Sequence, residues 1–185
     1  MAIYTRTGDG GLTQWPGGPN IRKDDPRLEA LGCLDELNAH LGLCIRFAGE
    51  AESAQGEIAE TLAPLQGELL AVGAMIVAGK DTASGTAGLG EKTVNRIEQQ
   101  IDAASAKAGE LTSFILPGGC ELACRLHVAR TVCRRGERAL AALARTKTPS
   151  PTVVLQYINR LSDLLFALAR LANRHAGIPE ATWQG

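Results

Sequence analysis

The sequence predicts an all-α protein, a five-helix bundle with a glycine-rich segment at its N-terminus. Apolar residues recur at helical intervals in five stretches that are separated by clear breaks, whereas strand-like alternation is nearly absent. Aromatic residues make up only 4% of the chain, and 185 residues are enough for one domain with a sizeable core. We therefore expect one domain, with a leader at 1–25, a helix bundle at 26–175 and a C-terminal tail at 176–185.

The first two helices are expected at about 26–48 and 54–77. Asp25 is suited to cap the first helix and Pro26 to occupy its first position. The apolar face of this helix is marked at helical spacing by Leu28, Leu31, Leu34, Leu41 and Ile45. The second helix ends at the loop "GKDTASGTAGLG", which is rich in helix-breaking residues.

Three further helices are expected at about 90–107, 121–145 and 151–175. The fourth follows "FILPGG" and the fifth follows "TPSP". The fourth helix has an apolar stripe of Leu126, Ala129, Cys133, Gly136, Leu140 and Leu143. The fifth has a stripe of Val154, Ile158, Leu161, Leu165, Leu168 and Ala172.

Charge and composition exclude several classes of protein. A formal net charge of −1 at pH 7 gives no global attraction to nucleic acid or to an anionic membrane. We expect no apolar segment long enough to span a bilayer, and the start "MAIYTR" has no signal-peptide character. The five cysteines are odd in number and lack C-x-x-C spacing, which favours a reduced, cytoplasmic setting.

The densest chemistry lies in the predicted fourth helix, in "HVARTVCRRGER". At about 100° per residue, one arc collects His127, Arg130, Arg134, Glu137 and Arg138. Arginine without lysine suits phosphate or carboxylate recognition, although a solvated basic stripe is the ordinary alternative. In the fifth helix Asn159 and Asp163 lie one turn apart. Such a pair is usually a surface feature, and we expect it to have a functional role only if the arginine face turns toward it.

Other ligand sites find less support. "GTAGLGEKT" is one residue longer than a P-loop and has no strand before it. Three histidines and no Glu-x-x-His pairs argue against a dedicated metal cage or a di-iron bundle. No Ser/His/Asp triad or nucleophile elbow is present, and the glycine-rich "TRTGDGGLTQWPGG" either cradles a ligand or is a tail.

Five segments together resemble the PduO-type ATP:cob(I)alamin adenosyltransferases, which attach the 5′-deoxyadenosyl group of ATP to cobalamin. They are "IYTRTGDGGLT", "RKDDPRLEALGCLDELNAHLG", "FILPGG", "LHVARTVCRRGER" and "YINRLSDLLFALARLANR", in order along nearly the whole chain. The resemblance implies transfer of the adenosyl group by direct attack of Co(I) on C5′ of ATP. It also implies a homotrimer with ATP and Mg²⁺ at the subunit interfaces.

The resemblance assigns roles to individual residues. The expected ATP contacts are Thr5, Arg6, Thr7, Gly8, Thr13, Lys23, Arg134, Arg135, Glu137, Arg138 and Asn159. Asp35 is expected to pair with Arg130 across the interface, and these two residues with Arg134 and Phe114 form the expected catalytic set. Phe114 is expected beneath the corrin of cobalamin, where it displaces the lower axial ligand, whereas without the resemblance it would be an ordinary core phenylalanine.

The resemblance also implies partners, and the chain departs from the family pattern in places. A cob(II)alamin reductase and a B12-dependent enzyme are the expected partners. A binding or sensor module that kept the ATP pocket without transfer activity is the alternative function, and a purely structural trimer is a third reading. The departures are Gly10 where lysine is common, the bulky Trp15 and Pro16, and Cys120 after the Pro-Gly-Gly turn.

Overall fold

The fold is a five-helix bundle with one short hairpin. The computed structural model describes Tyr4 and residues 6–49, 55–79, 89–145 and 152–184. These residues form β1 (Leu12–Gln14), β2 (Asn20–Arg22), α1 (Pro26–Gly49), α2 (Gly56–Ala78), α3 (Glu91–Ala108), α4 (Glu121–Leu143) and α5 (Thr152–His175). The predicted all-α class is confirmed, and the antiparallel β1–β2 pair is an addition, because three-residue strands are too short to show alternation in a sequence.

The helices pack in the spatial order α2, α1, α4, α5, α3. The apolar stripes predicted for α4 and α5 are buried throughout. Helices α1 and α4 lie close together at Gly136, where a Cβ atom would make ordinary van der Waals contact with Cβ of Cys33 at 3.5 Å. Because α4 and α5 pack along their lengths, residues beside their apolar stripes face one another at the margin of the core.

The N-terminus of α1 is capped by the predicted residue. The backbone N–H of Arg27 donates to Oδ1 of Asp25 at 2.9 Å, and the guanidinium of Arg27 donates to both carboxylate oxygens at 2.9 and 2.8 Å. These hydrogen bonds stabilise the carboxylate and lower the pKa of Asp25 from 3.8 to about 2. One side chain therefore both caps the helix and holds an arginine in place.

The hairpin is attached to α1 through a tryptophan. The turn from Trp15 to Gly18 has Pro16 and then Gly17 at φ +72°, and the N–H of Gly18 donates to the Trp15 carbonyl at 3.0 Å. This is the residue order that a type II turn requires. Trp15 is buried, and the guanidinium of Arg27 lies 4.4 Å from the centre of its ring.

One helix among the described residues, α2, meets the length and composition expected of a membrane span. The expectation that no segment of the chain does so is therefore wrong. Composition cannot show where an apolar face points: α2 places one face in the core of the bundle through Ile58, Leu62, Leu65, Leu69, Val72, Met75 and Ile76. The helix also contains Pro64.

Residues beyond α5 return to the loop that precedes α4. Gly177, at φ +65°, reverses the chain after the helix. The N–H of Leu116 then donates to the Ala181 carbonyl at 2.7 Å, and the N–H of Trp183 donates to the Phe114 carbonyl at 2.8 Å. We call residues 178–184 the C-terminal segment and residues 114–120 the Phe114 loop; the predicted division of the chain at residues 25 and 175 stays a prediction.

Candidate functional site

Two arginines of α4 and an aspartate of α5 line one cavity. Arg130, Arg134 and Asp163 border a space of about 190 Å³ between α3, α4 and α5. The two arginines are one helical turn apart, so both guanidinium groups reach the same side of α4. The arginine face of α4 thus turns toward α5. This is the condition under which Asn159 and Asp163 are candidate site residues.

The cavity is electrostatically suited to an anion. Burial lowers the pKa of Arg130, and the neighbouring cation of Arg134 lowers it further. The Nε atom of Arg130 is buried and has no hydrogen-bond partner in the described part of the chain. Burial raises the pKa of Asp163. An anion placed between the two arginines would relieve their mutual repulsion and satisfy the buried donor.

Asn159 is held in one orientation by charged neighbours. Its Nδ2 donates to Oε1 of Glu137 at 2.8 Å, and its Oδ1 accepts from Nη1 of Arg160 at 2.8 Å. Arg160 in turn donates to Oε1 of Glu98 on α3 at 2.7 Å. An amide set between a carboxylate and a guanidinium cannot flip without losing both hydrogen bonds, so Asn159 presents a fixed set of donors and acceptors.

The remaining arginines of α4 lie elsewhere. Arg135 forms an ion pair with Glu36 of α1, and Arg138 is exposed. Neither residue lines the cavity of Arg130 and Arg134. Asp35 is exposed, and among the described residues no hydrogen bond or ion pair joins it to Arg130. The expected Asp35–Arg130 pair is therefore not made within one chain.

His127 does not belong to the cationic arc on which helical spacing placed it. The side chain is only 3% exposed, and its ring centre lies 6.1 Å from that of Phe166. Burial lowers the pKa of His127, and Arg130 lowers it further, so the neutral ring is favoured. At 100° per residue, His127 lies between the cationic arc and the apolar stripe of α4. Its side chain is buried because α5 packs against it through Phe166.

Several expected nucleotide contacts lie near one another in the leader. The N–H of Lys23 donates to the Gly11 carbonyl at 2.9 Å. A Cβ atom on Gly8 would lie 3.1 Å from Nζ of Lys23, so the ammonium group lies directly over this glycine. Thr13 pairs with Ile21 across the hairpin.

The start of the leader carries further expected contacts. Arg6 has φ of 61°, an unusual value for a residue with a side chain, and its guanidinium lies 5.6 Å from the centre of the Tyr4 ring. Thr7 is exposed, and Thr5 lies outside the described residues. No hydrogen bond or ion pair within the described ranges joins Thr13 or Lys23 to Arg134 or Asn159.

Phe114 is not a core residue. It is 79% exposed, and its ring meets Trp183 edge-on with centroids 6.5 Å apart. The core alternative for this residue is therefore wrong. A second cavity, of about 400 Å³, reaches Glu110 and Leu111 just before the Phe114 loop, and it shares Ser105, Phe166 and Ala167 with the arginine cavity. The two cavities are therefore neighbours between α3 and α5, and the second one ends just before this loop.

The residues that support this loop were not identified from the sequence. Asn173 lies at the end of the apolar α5, yet its Nδ2 donates to the Gly118 carbonyl at 2.9 Å and its Oδ1 accepts from the Cys120 N–H at 2.9 Å. Arg170 and Glu180 form an ion pair between α5 and the C-terminal segment. Periodicity and motifs are the signals that a single sequence offers, and neither detects contacts made by an irregular segment.

The departures from the family pattern have plain structural settings. Gly10 lies in open space, because a Cβ atom at this position would have no neighbour within 4 Å. Trp15 is the anchor of the hairpin on α1. Cys120 caps α4, since its Sγ accepts from the N–H of Ala123 at 3.4 Å.

A metal ion would find no protein cage among the described residues. No three His, Cys, Asp or Glu side chains gather there in a ligating arrangement. Mg²⁺ usually keeps several waters and binds through substrate phosphates and one or two carboxylates. The donor set therefore fits a Mg²⁺ ion that arrives with a nucleotide, not one held by the protein alone.

Comparisons with known proteins identify the family and the fold. A family model described as cobalamin adenosyltransferase matches residues 3–172. The corrinoid adenosyltransferase of Bacillus subtilis is 41% identical over 187 residues, covering all of this chain and 93% of the relative. The corrinoid adenosyltransferase PduO of Salmonella typhimurium is 44% identical over 177 residues, covering 95% of this chain, which spans only 51% of that relative.

Solved structures extend the likeness to three dimensions. A phenylalanine-to-alanine variant of a PduO-type ATP:corrinoid adenosyltransferase from Lactobacillus reuteri, complexed with cobalamin and ATP, superposes with a TM-score of 0.88. It is 35% identical, and the match covers 100% of both chains. An arginine-to-lysine variant from the same organism, complexed with ATP, gives a TM-score of 0.86 at 34% identity, with 98% and 100% coverage. With its family match, its relatives and its fold in agreement, the chain belongs to the cobalamin adenosyltransferase family.

Proposed function

We propose that this protein transfers the 5′-deoxyadenosyl group of ATP to cob(I)alamin, giving adenosylcobalamin and triphosphate. The observation that carries the proposal is a pair of adjacent cavities, one lined by Arg130 and Arg134 and the other reaching Leu111, three residues before the exposed Phe114. A site suited to an anion and a nearby exposed aromatic residue support a reaction between a nucleotide and a large apolar cofactor. Family membership supplies the identity of the two substrates.

The reaction requires little acid–base catalysis by the protein. The electron pair of Co(I) forms the bond to C5′ while the C5′–O bond breaks, and those electrons leave with the triphosphate. No proton moves in this step, so no general base or covalent nucleophile is needed. The task of the chain is to hold ATP in line and to stabilise the charge that develops on the leaving group.

Arg130 and Arg134 are the residues best suited to the leaving group. Their guanidinium groups repel each other without a ligand, and triphosphate supplies the missing anion. Asn159 and Glu137 present fixed polar groups at the side of the same helices, where they are suited to orient the nucleotide. Mg²⁺ enters as part of the ATP substrate and adds positive charge at the phosphates.

The leader is proposed to close over ATP held by a second copy of the chain. The Lys23 ammonium lies over the backbone of Gly8, so its positive charge stands beside the glycine-rich backbone where a polyphosphate would bind. Asp35 is exposed on α1, which leaves its carboxylate available to Arg130 of a neighbouring copy. Both features support an ATP site completed by a second copy, and the family resemblance is the ground for proposing that the assembly is a homotrimer.

Phe114 is proposed to form the corrinoid half of the site. An aromatic ring that is 79% exposed leaves apolar area available for the face of a corrin. The partners proposed on family grounds are a reductase that supplies Co(I) and a B12-dependent enzyme that receives the product. The cytoplasmic setting indicated by the cysteine pattern stays a prediction.

Anaerobic incubation of the purified chain with cob(I)alamin and MgATP tests the proposal directly. We expect absorbance changes of adenosylcobalamin formation and one triphosphate released per product. Arg134→Ala should reduce turnover by about 100-fold or more, the usual cost of losing one donor to a developing charge. Arg145→Ala, beyond the end of α4, is the matched arginine control and should leave turnover unchanged.

The outcomes separate the two functions. ATP binding without product, by a folded protein supplied with Co(I), would refute the transferase and favour the sensor module. Equal turnover in the Arg134→Ala and Arg145→Ala variants would refute the assignment of the leaving-group site. Phe114→Ala should lower turnover with cobalamin while ATP affinity stays within about twofold, because residues on different halves of a site act independently when they share no partner.

A further inference from the structure

The backbone of the Phe114 loop is held from two sides, and the side chain of Phe114 contributes little to holding it. Asn173 of α5 binds both the Gly118 carbonyl and the Cys120 N–H. On the other side, Leu116 and Phe114 exchange backbone hydrogen bonds with the C-terminal segment. The Phe114 ring is mostly exposed and meets only the edge of Trp183 among the ring contacts described, so its position depends strongly on how firmly the backbone beneath it is held.

An ion pair connects the C-terminal segment to α5. Nε of Arg170 donates to both oxygens of Glu180 at 3.0 and 3.2 Å, and Nη2 donates to Oε2 at 3.1 Å. The same guanidinium donates to the Glu110 carbonyl at 3.3 Å, just before the Phe114 loop. Arg170 is 6% exposed and the Glu180 side chain is 22% exposed, so the guanidinium side of this multidentate pair is buried and the pair is only partly screened by salt.

The ion pair lies close to the strand pairing that it would control. Glu180 immediately precedes Ala181, whose carbonyl accepts the Leu116 N–H, and Trp183 follows two residues later. A charged hydrogen bond at one end of a three-residue pairing restricts the whole pairing, because so short a contact has little stability of its own. Arg170 thus connects α5, the C-terminal segment and the entry to the Phe114 loop.

We propose that Arg170 and Glu180 are positioning residues for Phe114, acting through the backbone pairing of the C-terminal segment with the Phe114 loop. The inference rests on the proposed function, in which Phe114 meets the corrinoid. Removing the ion pair should then harm the cobalamin step selectively. A merely structural ion pair would instead lower stability and affect both substrates alike.

Hydrogen exchange tests the placement of the loop without reference to activity. In Glu180→Ala the amides of Leu116 and Trp183 should exchange about tenfold faster or more, whereas amides in the middle of α5 keep their protection. Glu180→Gln keeps one acceptor oxygen and should give an intermediate effect. Lys107→Gln, which breaks the ion pair of Lys107 with Glu57 elsewhere on the bundle, is the matched control and should leave both amides unchanged.

A double-mutant cycle tests the functional consequence. Glu180→Ala should lower kcat by about tenfold while KM for ATP stays within about twofold, the scale of one charge-assisted hydrogen bond. In a Phe114→Ala background the same substitution should have almost no further effect on kcat, because the group being positioned is gone. An equal loss of kcat in both backgrounds would overturn the inference.

The two proposals fail in different ways. No product from the wild-type chain would refute the transferase function. Unchanged exchange at Leu116 and Trp183 in Glu180→Ala would refute the role of the ion pair in placing the loop, whatever the activity. A parallel rise of KM for ATP would show that the variant disturbs the whole site, and this too would overturn selective positioning.

Discussion

The substitution Gly119→Ala is expected to be severely destabilising for the loop that carries Phe114. Gly119 has φ of +115°, a backbone conformation that residues with a Cβ atom adopt only under strain. The added Cβ would lie 1.9 Å from Oδ1 of Asn173, far inside van der Waals contact. Asn173 is 2% exposed and bound on both sides, so it cannot swing away without losing its partners.

The magnitude follows from these two effects. Backbone strain at a non-glycine residue of this kind costs about 1 to 3 kcal/mol. Displacing the amide breaks the bonds to the Gly118 carbonyl and the Cys120 N–H and leaves buried polar groups unsatisfied, at about 1 to 3 kcal/mol. We expect the free energy of unfolding to fall by about 4 kcal/mol, a large part of the roughly 5 to 15 kcal/mol typical of a domain.

Thermal unfolding at one fixed protein concentration measures the effect. A loss of this size should lower Tm by about 10 °C in a chain of this length. Gly118→Ala is the matched control: its Cβ would meet only the Leu116 carbonyl, at 4.0 Å, and Tm should hardly change. A Gly119→Ala protein that melts within about 2 °C of wild type would refute the steric reasoning, since 1 kcal/mol corresponds to about 2 to 4 °C here.

Three further substitutions test other contacts. Asp25→Asn keeps a capping side chain but removes the carboxylate whose folded pKa is about 2. Its stability deficit should be nearly full above about pH 4, shrink as pH falls and be lost only below about pH 2, and a pH-independent deficit would contradict the ion pair with Arg27. Trp15→Ala should destabilise the hairpin by about 3 kcal/mol, seen as faster exchange of its amides with α5 unaffected. Tyr157→Phe removes the hydroxyl that donates to Glu68 at 2.9 Å, and urea unfolding should show a loss of about 1.5 kcal/mol; no loss would mean that this buried bond adds nothing.

Helical periodicity predicted the regular parts of the fold well. The stripes of α4 and α5 and the Asp25–Pro26 start of α1 follow from local spacing and from the chemistry of helix ends, which a single sequence displays. His127 shows the limit of periodicity, because a residue at the border of two arcs is buried or exposed according to the neighbouring helix. For α2, composition alone likewise does not show which face of the helix is buried in the bundle.

The supporting parts of the candidate site were beyond such reasoning. Arg130, Arg134 and Asn159 stood out because charged or polar residues interrupted a helical pattern. Glu180 lies in an irregular segment without periodicity, and its pairing with Arg170 depends on a chain reversal at Gly177 that no spacing rule predicts. Asn173 belongs to no apolar stripe and to no candidate site that the sequence displays, although its amide closes the turn before α4.

Helix α5 has a consequence for which kinds of sequence change the protein can accept. It carries Asn159, which is fixed by Glu137, and Asn173, which is fixed in the Phe114 loop, fourteen positions further along. At a rise of about 1.5 Å and a rotation of about 100° per residue, the two amides lie about 21 Å apart and within about 40° of the same direction. The helix therefore sets the distance between the Asn159–Glu137 contact and the Phe114 loop. Substitutions on its outer face leave that length and angle intact, whereas inserting a single residue between the two amides would turn one of them away by about 100°.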